Sequence, residues 1–391
     1  MKITSVSAIP TSPGVTAHPM FNFPPWNYVF VKVETDEGID GWGDATCGPM
    51  ATVTMVEELG RLIVGKDPFT IEEHWQTMHH RAFARGGPIQ NSACAGIEMA
   101  LYDIKGKALG VPVYELLGGK MRDQIWCYGR WDGPSPEAAA EFALSQVATG
   151  FTALKGDPFD HRGLYISYEA EKKAIDTFAA VREAVGFEVE LLVEVHGRLT
   201  PAEAIRVGDA IEPLRPFVFE EPVPFENIDA MEAVARAINV PIATGERIFS
   251  PFTYFDLLQR QIVAMIQPDV IQCGGIGQLK RIAALAETQY VGVQPHAIHG
   301  PMDVLAALHV DATLPNFMIH EGGGKAWFQD ACVGDFPIRD ADGYMPLPTA
   351  PGLGVAIDEA WLAAHPPQED PGWAPALGTM PSKQFSQVAS P

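Results

Sequence analysis

ELLVEVHGRLTPAE, residues 190–203, reads as a strand running into a helix. Leu191, Leu192, Val193 and Val195 are apolar, while Glu194 and His196 leave the chain on one face, because a strand alternates faces with period two. A lone buried charge is costly unless something compensates it. The pair therefore lies at an exposed strand end or holds something. Beyond His196, Thr200, Pro201 and Glu203 supply an N-cap, a first-turn proline and a capping-box glutamate. The stretch is one βα unit with a carboxylate and an imidazole at its turn.

Seven more β-rich runs share this rhythm: 125–131, 151–157, 216–221, 241–246, 263–269, 291–296 and 316–321, with helical stretches between them. Eight strands with intervening helices predict an α/β fold with a closed parallel barrel. From the third strand on, the runs end in Glu194, Glu220, Glu246, Asp269, His296 and Glu321, at intervals of 23–27 residues. A barrel opens all its strand C-termini on one face, so these side chains converge. One acidic strand end is an ordinary solvated loop start; six ionisable ends in succession point to chemistry.

Glu194, Glu220 and Glu246 come from neighbouring strands. Three hard oxygen ligands without cysteine suit Mg²⁺ or Mn²⁺, and a divalent cation resolves their mutual repulsion. Asp269, one strand from His296, is placed to orient that imidazole and raise its basicity. His196 follows a metal ligand by two residues. His299 is a weaker candidate in the loop after its strand, and His79, His80, His309 and His320 read as structural or surface residues. Lys155 ends strand two and suits a substrate carboxylate or, if desolvated, a base. Asp157 faces the same way, as a partner or a substrate contact. Arg247 reads either as a partner of the glutamates or as a substrate contact, and Glu221, on the other face, as structural.

The barrel has flanks of another kind. Residues 2–9 and 28–35 look like strands, GIDGWGDA continues as a hairpin, and 91–109 has helical periodicity. After about 325 the rhythm stops in a turn-rich segment, and the tail from Pro366 is rich in proline and serine. The expected organisation is an α+β capping domain over 1–120, the barrel over 121–325, and a C-terminal segment over 326–391 that returns to the capping domain. The loop 13–26 is expected to close the mouth. Phe21, Phe23 and Trp26 would exclude water there, and His18 and Asn22 would meet substrate hydroxyls. Arg85 and Trp131 are further candidate contacts.

The totals narrow the class. With 391 residues, 47% of them hydrophobic, a well-buried core is expected. A formal charge of −22 argues against nucleic acid and anionic membrane as partners. Five scattered cysteines with no CxxC fit a reducing compartment. No signal peptide or spanning segment is evident, so a cytoplasmic protein is expected.

Glu194-Val195-His196, Glu220-Glu221-Pro222, Gly245-Glu246-Arg247, Gln267-Pro268-Asp269, His296 and Glu321 together resemble the enolase superfamily. The similarity is to its mandelate racemase subgroup, and within that to acid-sugar dehydratases of the galactonate dehydratase type, over roughly residues 1–360. The resemblance implies a modified (β/α)7β barrel under the capping domain, a homo-oligomer, and one Mg²⁺ on the three glutamates. It implies a hydro-lyase that converts an aldonate or aldarate to a 2-keto-3-deoxy acid through an enediolate. In that scheme His296, oriented by Asp269, takes the C2 proton and His196 protonates the departing hydroxyl. Protonated Glu321 and Lys155 donate to the substrate carboxylate. Two departures stand out: relatives of this type commonly carry Asp where Glu194 stands, and strand two has Lys-Gly-Asp in place of the Lys-x-Lys of racemases. Alternatives are a racemase or epimerase on the same groups, a non-catalytic sugar-acid binder, and a Lys155 Schiff-base aldolase.

Overall fold

The computed structural model describes residues 1–14, 26–81, 83–159, 165–322 and 324–368. His18, Asn22, Phe21 and Phe23 lie outside the described residues, as does most of the C-terminal tail.

Strands β1 (Ile3–Thr11), β2 (Tyr28–Thr35) and β3 (Gly41–Asp44) form an antiparallel sheet. Helices α1 (Pro49–Gly60), α2 (Ile71–His80), α3 (Pro88–Leu109) and α4 (Val113–Leu116) follow. The ring begins with β4 (Gln124–Arg130), α5 (Pro136–Ala148), β5 (Ala153–Gly156), α6 (Tyr168–Val185) and β6 (Glu190–Glu194). It continues through α7 (Pro201–Ile211), β7 (Val218–Glu220), α8 (Ile228–Ala237), β8 (Ile242–Thr244) and α9 (Pro251–Gln259). It ends with β9 (Met265–Ile266), α10 (Ile276–Glu287), β10 (Gly292–Val293), α11 (Pro301–Asp311) and β11 (His320–Glu321). Parallel pairing runs β10-β9-β8-β7-β6-β5-β4-β11. The ring closes where Val293 N donates to Asn316 O and Met318 N to Val293 O, each at 2.9 Å. This is a (β/α)7β barrel.

Tyr128, Leu192, Val218, Ala243, Met265 and Ile319 are among the buried side chains that fill the barrel's interior. The capping box at α7 is formed, with Thr200 N donating to Glu203 Oε2 at 2.9 Å. The ladders of β9 and β10 are shorter than the apolar runs that predict them. Pro268 and Pro295 follow closely and carry no N–H for a ladder. Asp269 and His296 still meet as an isolated parallel bridge.

The N-terminal sheet is fixed to the barrel through α3. Glu98, wholly buried, accepts from Ile276 N and Gly277 N at 2.8 Å each and so caps α10. Asn91 Nδ2 donates to Phe249 O at 2.7 Å and to Gln272 O at 3.0 Å. Asp44, at the end of β3, accepts from Gly300 N at 2.8 Å at the start of α11. The later chain, α12 (Trp327–Ala331), β12 (Cys332–Val333), β13 (Tyr344–Pro346), β14 (Ala356–Ile357) and α13 (Glu359–Ala364), turns back to these first residues. Pro112 bridges Gly352, and Ser12 N donates to His365 O at 3.1 Å. Among the described residues no helix is long and apolar enough to cross a membrane.

Helix α3 lies directly on β3 because two strand residues lack side chains. A Cβ at Gly41 would come within 2.0 Å of Ala100 O, and one at Gly43 within 2.0 Å of Gly96 O. Gly43→Ala is therefore expected to cost about 1–3 kcal/mol or more, the usual range for overpacking. Urea unfolding of the variant against the parent measures it.

Candidate active site

Glu194 and Glu220 end β6 and β7 and stand in register. Glu246 lies two residues beyond β8, after Gly245, whose φ of 141° is closed to other residues. The three residues are 2%, 0% and 9% exposed, and each offers a carboxylate oxygen within 4.8 Å of the others. Glu194 Oε2 and Glu220 Oε2 are buried without a hydrogen-bond partner among the described residues. Orphaned carboxylate oxygens in a hard-donor cluster fit a divalent cation such as Mg²⁺. Burial first, then Glu194, pushes the Glu220 carboxyl up to about 8.

Lys155, at the end of the neighbouring strand β5, projects into this cluster. Its Nζ is 2.9 Å from Glu220 Oε1, 3.0 Å from Glu321 Oε1 and 3.7 Å from Glu194 Oε2. Burial opposes the ammonium charge, but Glu220 and Glu321 outweigh it and hold the amine well above its usual range. In this arrangement the amine is the shared ion-pair partner of three carboxylates. Glu321, at the end of β11, is the second partner of this amine. Burial would raise its carboxyl, but Lys155 and His296 hold it well below the usual range, and its Oε2 accepts from Ala297 N at 3.3 Å.

His296 Nδ1 pairs with Asp269 Oδ2 at 2.6 Å, and His299 Nε2 meets the same oxygen at 3.0 Å. Asp269 Oδ1 accepts from Ile271 N and Gln272 N, both at 2.8 Å. Burial alone would raise this carboxyl; His299 and His296 hold it far below its usual range. The free edge of His296 faces the carboxylates, with Nε2 3.6 Å from Glu246 Oε2 and 3.9 Å from Glu321 Oε2. Burial disfavours its charge, but Glu246 and Glu321 raise it well above the ordinary histidine value.

His196 turns out of β6 with a φ of 53°, a left-handed step that swings the imidazole toward β5. Its Nδ1 is 2.8 Å from Asp157 Oδ2, and Asp157 is in turn gripped by the Arg198 guanidinium. Burial would lower the imidazole; Glu194 and Asp157 raise it to about 9. Asp157→Asn deletes a charge that favours the imidazolium, so the histidine pKa is expected to fall back toward the ordinary histidine value of 6.5. NMR titration of the His196 ring in metal-free protein checks this. The raised pKa contributes stability that is complete below 6.5 and is lost as pH climbs through about 9, so the variant should lose less in that window.

Residues 138–361 match the family Enolase C-terminal domain-like, and residues 8–118 match the Mandelate racemase / muconate lactonizing enzyme N-terminal domain. The chain belongs to the enolase superfamily. Among superfamily proteins it is 39% identical to a D-galactonate dehydratase of Ralstonia pickettii (strain 12J), covering 92% of this chain and 96% of that one. It is 39% identical to a D-galactonate dehydratase of Xanthomonas oryzae pv. oryzae (strain PXO99A), covering 90% and 96%. A superfamily member from Salmonella Typhimurium superposes with a TM-score of 0.86 at 34% identity, covering 93% of this chain and 98% of that one. The mandelate racemase/muconate lactonizing enzyme from Jannaschia sp. CCS1 gives 0.87 at 33%, covering 95% and 99%.

The superfamily barrel gathers Lys155, Glu194, His196, Glu220, Glu246, Asp269, His296 and Glu321 at one mouth. Asp157 is occupied by His196 and Arg198, so it serves the imidazole before any substrate. Trp131 is not at the mouth. It is 1% exposed, its indole lies against Gly156, and its Nε1 donates to Leu192 O at 3.1 Å. Arg85 lines a different cavity, between α2, α3 and the loops after β7 and β8. Trp26 packs beside Lys325, whose Nζ is 5.5 Å from the ring centroid.

Sequence reasoning passed over three groups at the mouth. Lys325 donates to Tyr28 OH at 2.9 Å and to Ile298 O at 2.5 Å, and burial lowers it to about 8. Its signal was its place four residues after Glu321. Arg198 shares the period-two phase of Glu194 and His196, which was a readable clue. Tyr128 lies under Lys155, its ring centroid 5.2 Å from Nζ, and had no signal beyond an apolar strand.

Proposed function

We propose that this protein is a Mg²⁺-dependent acid-sugar dehydratase, acting on an aldonate of the D-galactonate type. The observation that carries the reading is a pair of imidazoles, each buttressed by a carboxylate, on opposite staves of the ring. His196 follows β6 and His296 follows β10, four strands away around a ring of eight. The glutamate triad lies on the staves from β6 to β8, between them. The named relatives are D-galactonate dehydratases, which supports the substrate class.

Glu194, Glu220 and Glu246 would hold the cation, which supplies a Lewis acid for the negative charge that develops on the substrate carboxylate. His296 Nε2 takes the proton from C2, with Asp269 fixing the ring through Nδ1. His196, in its imidazolium form and steadied by Asp157, gives its proton to the leaving C3 hydroxyl, which departs as water. The resulting enol ketonises to a 2-keto-3-deoxy acid. Lys155 keeps its charge throughout and steadies the carboxylate side of the substrate.

Dehydration needs one imidazole to take the C2 proton and the other to give a proton to the leaving hydroxyl, whereas a racemase needs a base on each face of C2. Incubation with D-galactonate and Mg²⁺ should yield 2-keto acid, and EDTA should stop it. In D₂O, deuterium entering C2 without loss of water would instead show a racemase or epimerase. The homo-oligomeric state belongs to this same reading.

A further inference from the structure

A cavity of about 600 Å³ opens between α2, the start of α3 and the loops after β7 and β8. Its lining includes none of Lys155, Glu194, His196, Glu220, Glu246 and His296. Arg247 joins it to the reacting site, with Nε 3.9 Å from Glu246 Oε1 and the guanidinium paired to Glu221.

The charge of this cavity is unlike that of the whole molecule. In a chain of net charge −22, the described lining carries Arg85, Arg247 and Arg281 and no aspartate or glutamate. Arg281 reaches out to Glu72 at 2.6 Å, whereas Arg85 has no hydrogen bond or ion pair among the described residues. Two helices begin at its walls: α3 after Gly87, and α9 after Ser250. Helix N-termini present partial positive charge, which adds to the guanidinium field.

The neutral part of the lining speaks to the rest of the ligand. Asn91 is 4% exposed and spends Nδ2 on two barrel carbonyls, but its Oδ1 has no partner among the described residues. His79 Nδ1 is also buried and unpartnered. Gln76, Gln278 and Thr253 add side chains that both donate and accept, and Phe225 and Phe252 give an apolar wall. An inorganic anion would answer the guanidinium groups and leave the acceptors unmet. A ligand with an acid group at one end and hydroxyls along its length answers both.

We propose that this cavity is an accessory binding site for a small polyhydroxy acid, with the acid group at Arg85 and the hydroxyls toward Asn91 and Gln278. The lining alone recommends this ligand, whether or not the triad site dehydrates such an acid.

Calorimetric titration of metal-stripped protein with D-gluconate tests it, because removing the divalent ion silences turnover. The expected result is saturable binding that Arg85→Ala weakens about tenfold or more, as loss of a charge-assisted contact should. Binding should be unchanged in His296→Ala, which alters only the reacting site. Arg85 is exposed, so its replacement leaves the core intact, and an unchanged thermal melt verifies that. Absence of saturable binding at millimolar D-gluconate overturns the proposal. So does binding that ignores Arg85→Ala, or that His296→Ala weakens.

Discussion

His296→Ala is expected to reduce dehydration of D-galactonate by about 10²–10⁴-fold, the contribution of a positioned general base. Its Nδ1 is held by Asp269 at 2.6 Å, which leaves Nε2 as the working nitrogen. The glutamate triad does not include this ring, so Mg²⁺ affinity measured by calorimetry should stay near that of the parent. That split between turnover and metal binding separates a base from a residue that merely props the site. Asp269→Asn should also lose turnover, since an amide can no longer favour the required tautomer and charge. A His296→Ala enzyme with unchanged kcat removes the imidazole from the mechanism.

Lys155→Met should have the largest effect on stability. The amine stands among Glu220, Glu321 and Glu194 and is 3% exposed. Taking one partner from a buried ionic cluster typically costs about 3–5 kcal/mol, because the remaining charges are left uncompensated. Urea unfolding without divalent ions should show that deficit in full. Saturating Mg²⁺ should recover part of it, because binding to the folded state alone adds stability by mass action. Equal stability of variant and parent, with and without Mg²⁺, would sink the idea that this lysine neutralises the triad.

The barrel and its mouth were readable because both are periodic. Each strand ended in a group that recurs after one βα unit, so Glu194, Glu220, Glu246, Asp269, His296 and Glu321 announced themselves by spacing. Trp131 shows where that logic fails. It follows β4 and belongs by position to the mouth, but Gly156 leaves a flat place on β5 and the indole fills it. Which way a large ring turns depends on the neighbour that makes room, and no period records it. Arg85 is a candidate substrate contact in sequence, and the fold puts it in the lining of the cavity beside Arg247. Glu98 and Asp44 were invisible for another reason. Their partners are the backbone N–H groups of Ile276, Gly277 and Gly300, far along the chain and silent in sequence.

The capping layer is made from both ends of the chain, and this bears on biosynthesis. Ser12 and Pro112 leave the ribosome more than 200 residues ahead of their partners His365 and Gly352. These contacts must therefore wait until Gly352 and His365 have emerged. Contacts this distant in sequence slow folding and lengthen the exposure of apolar surface. A nascent chain halted before Gly352 should lean on chaperones, and the N-terminal unit expressed alone should be prone to aggregate.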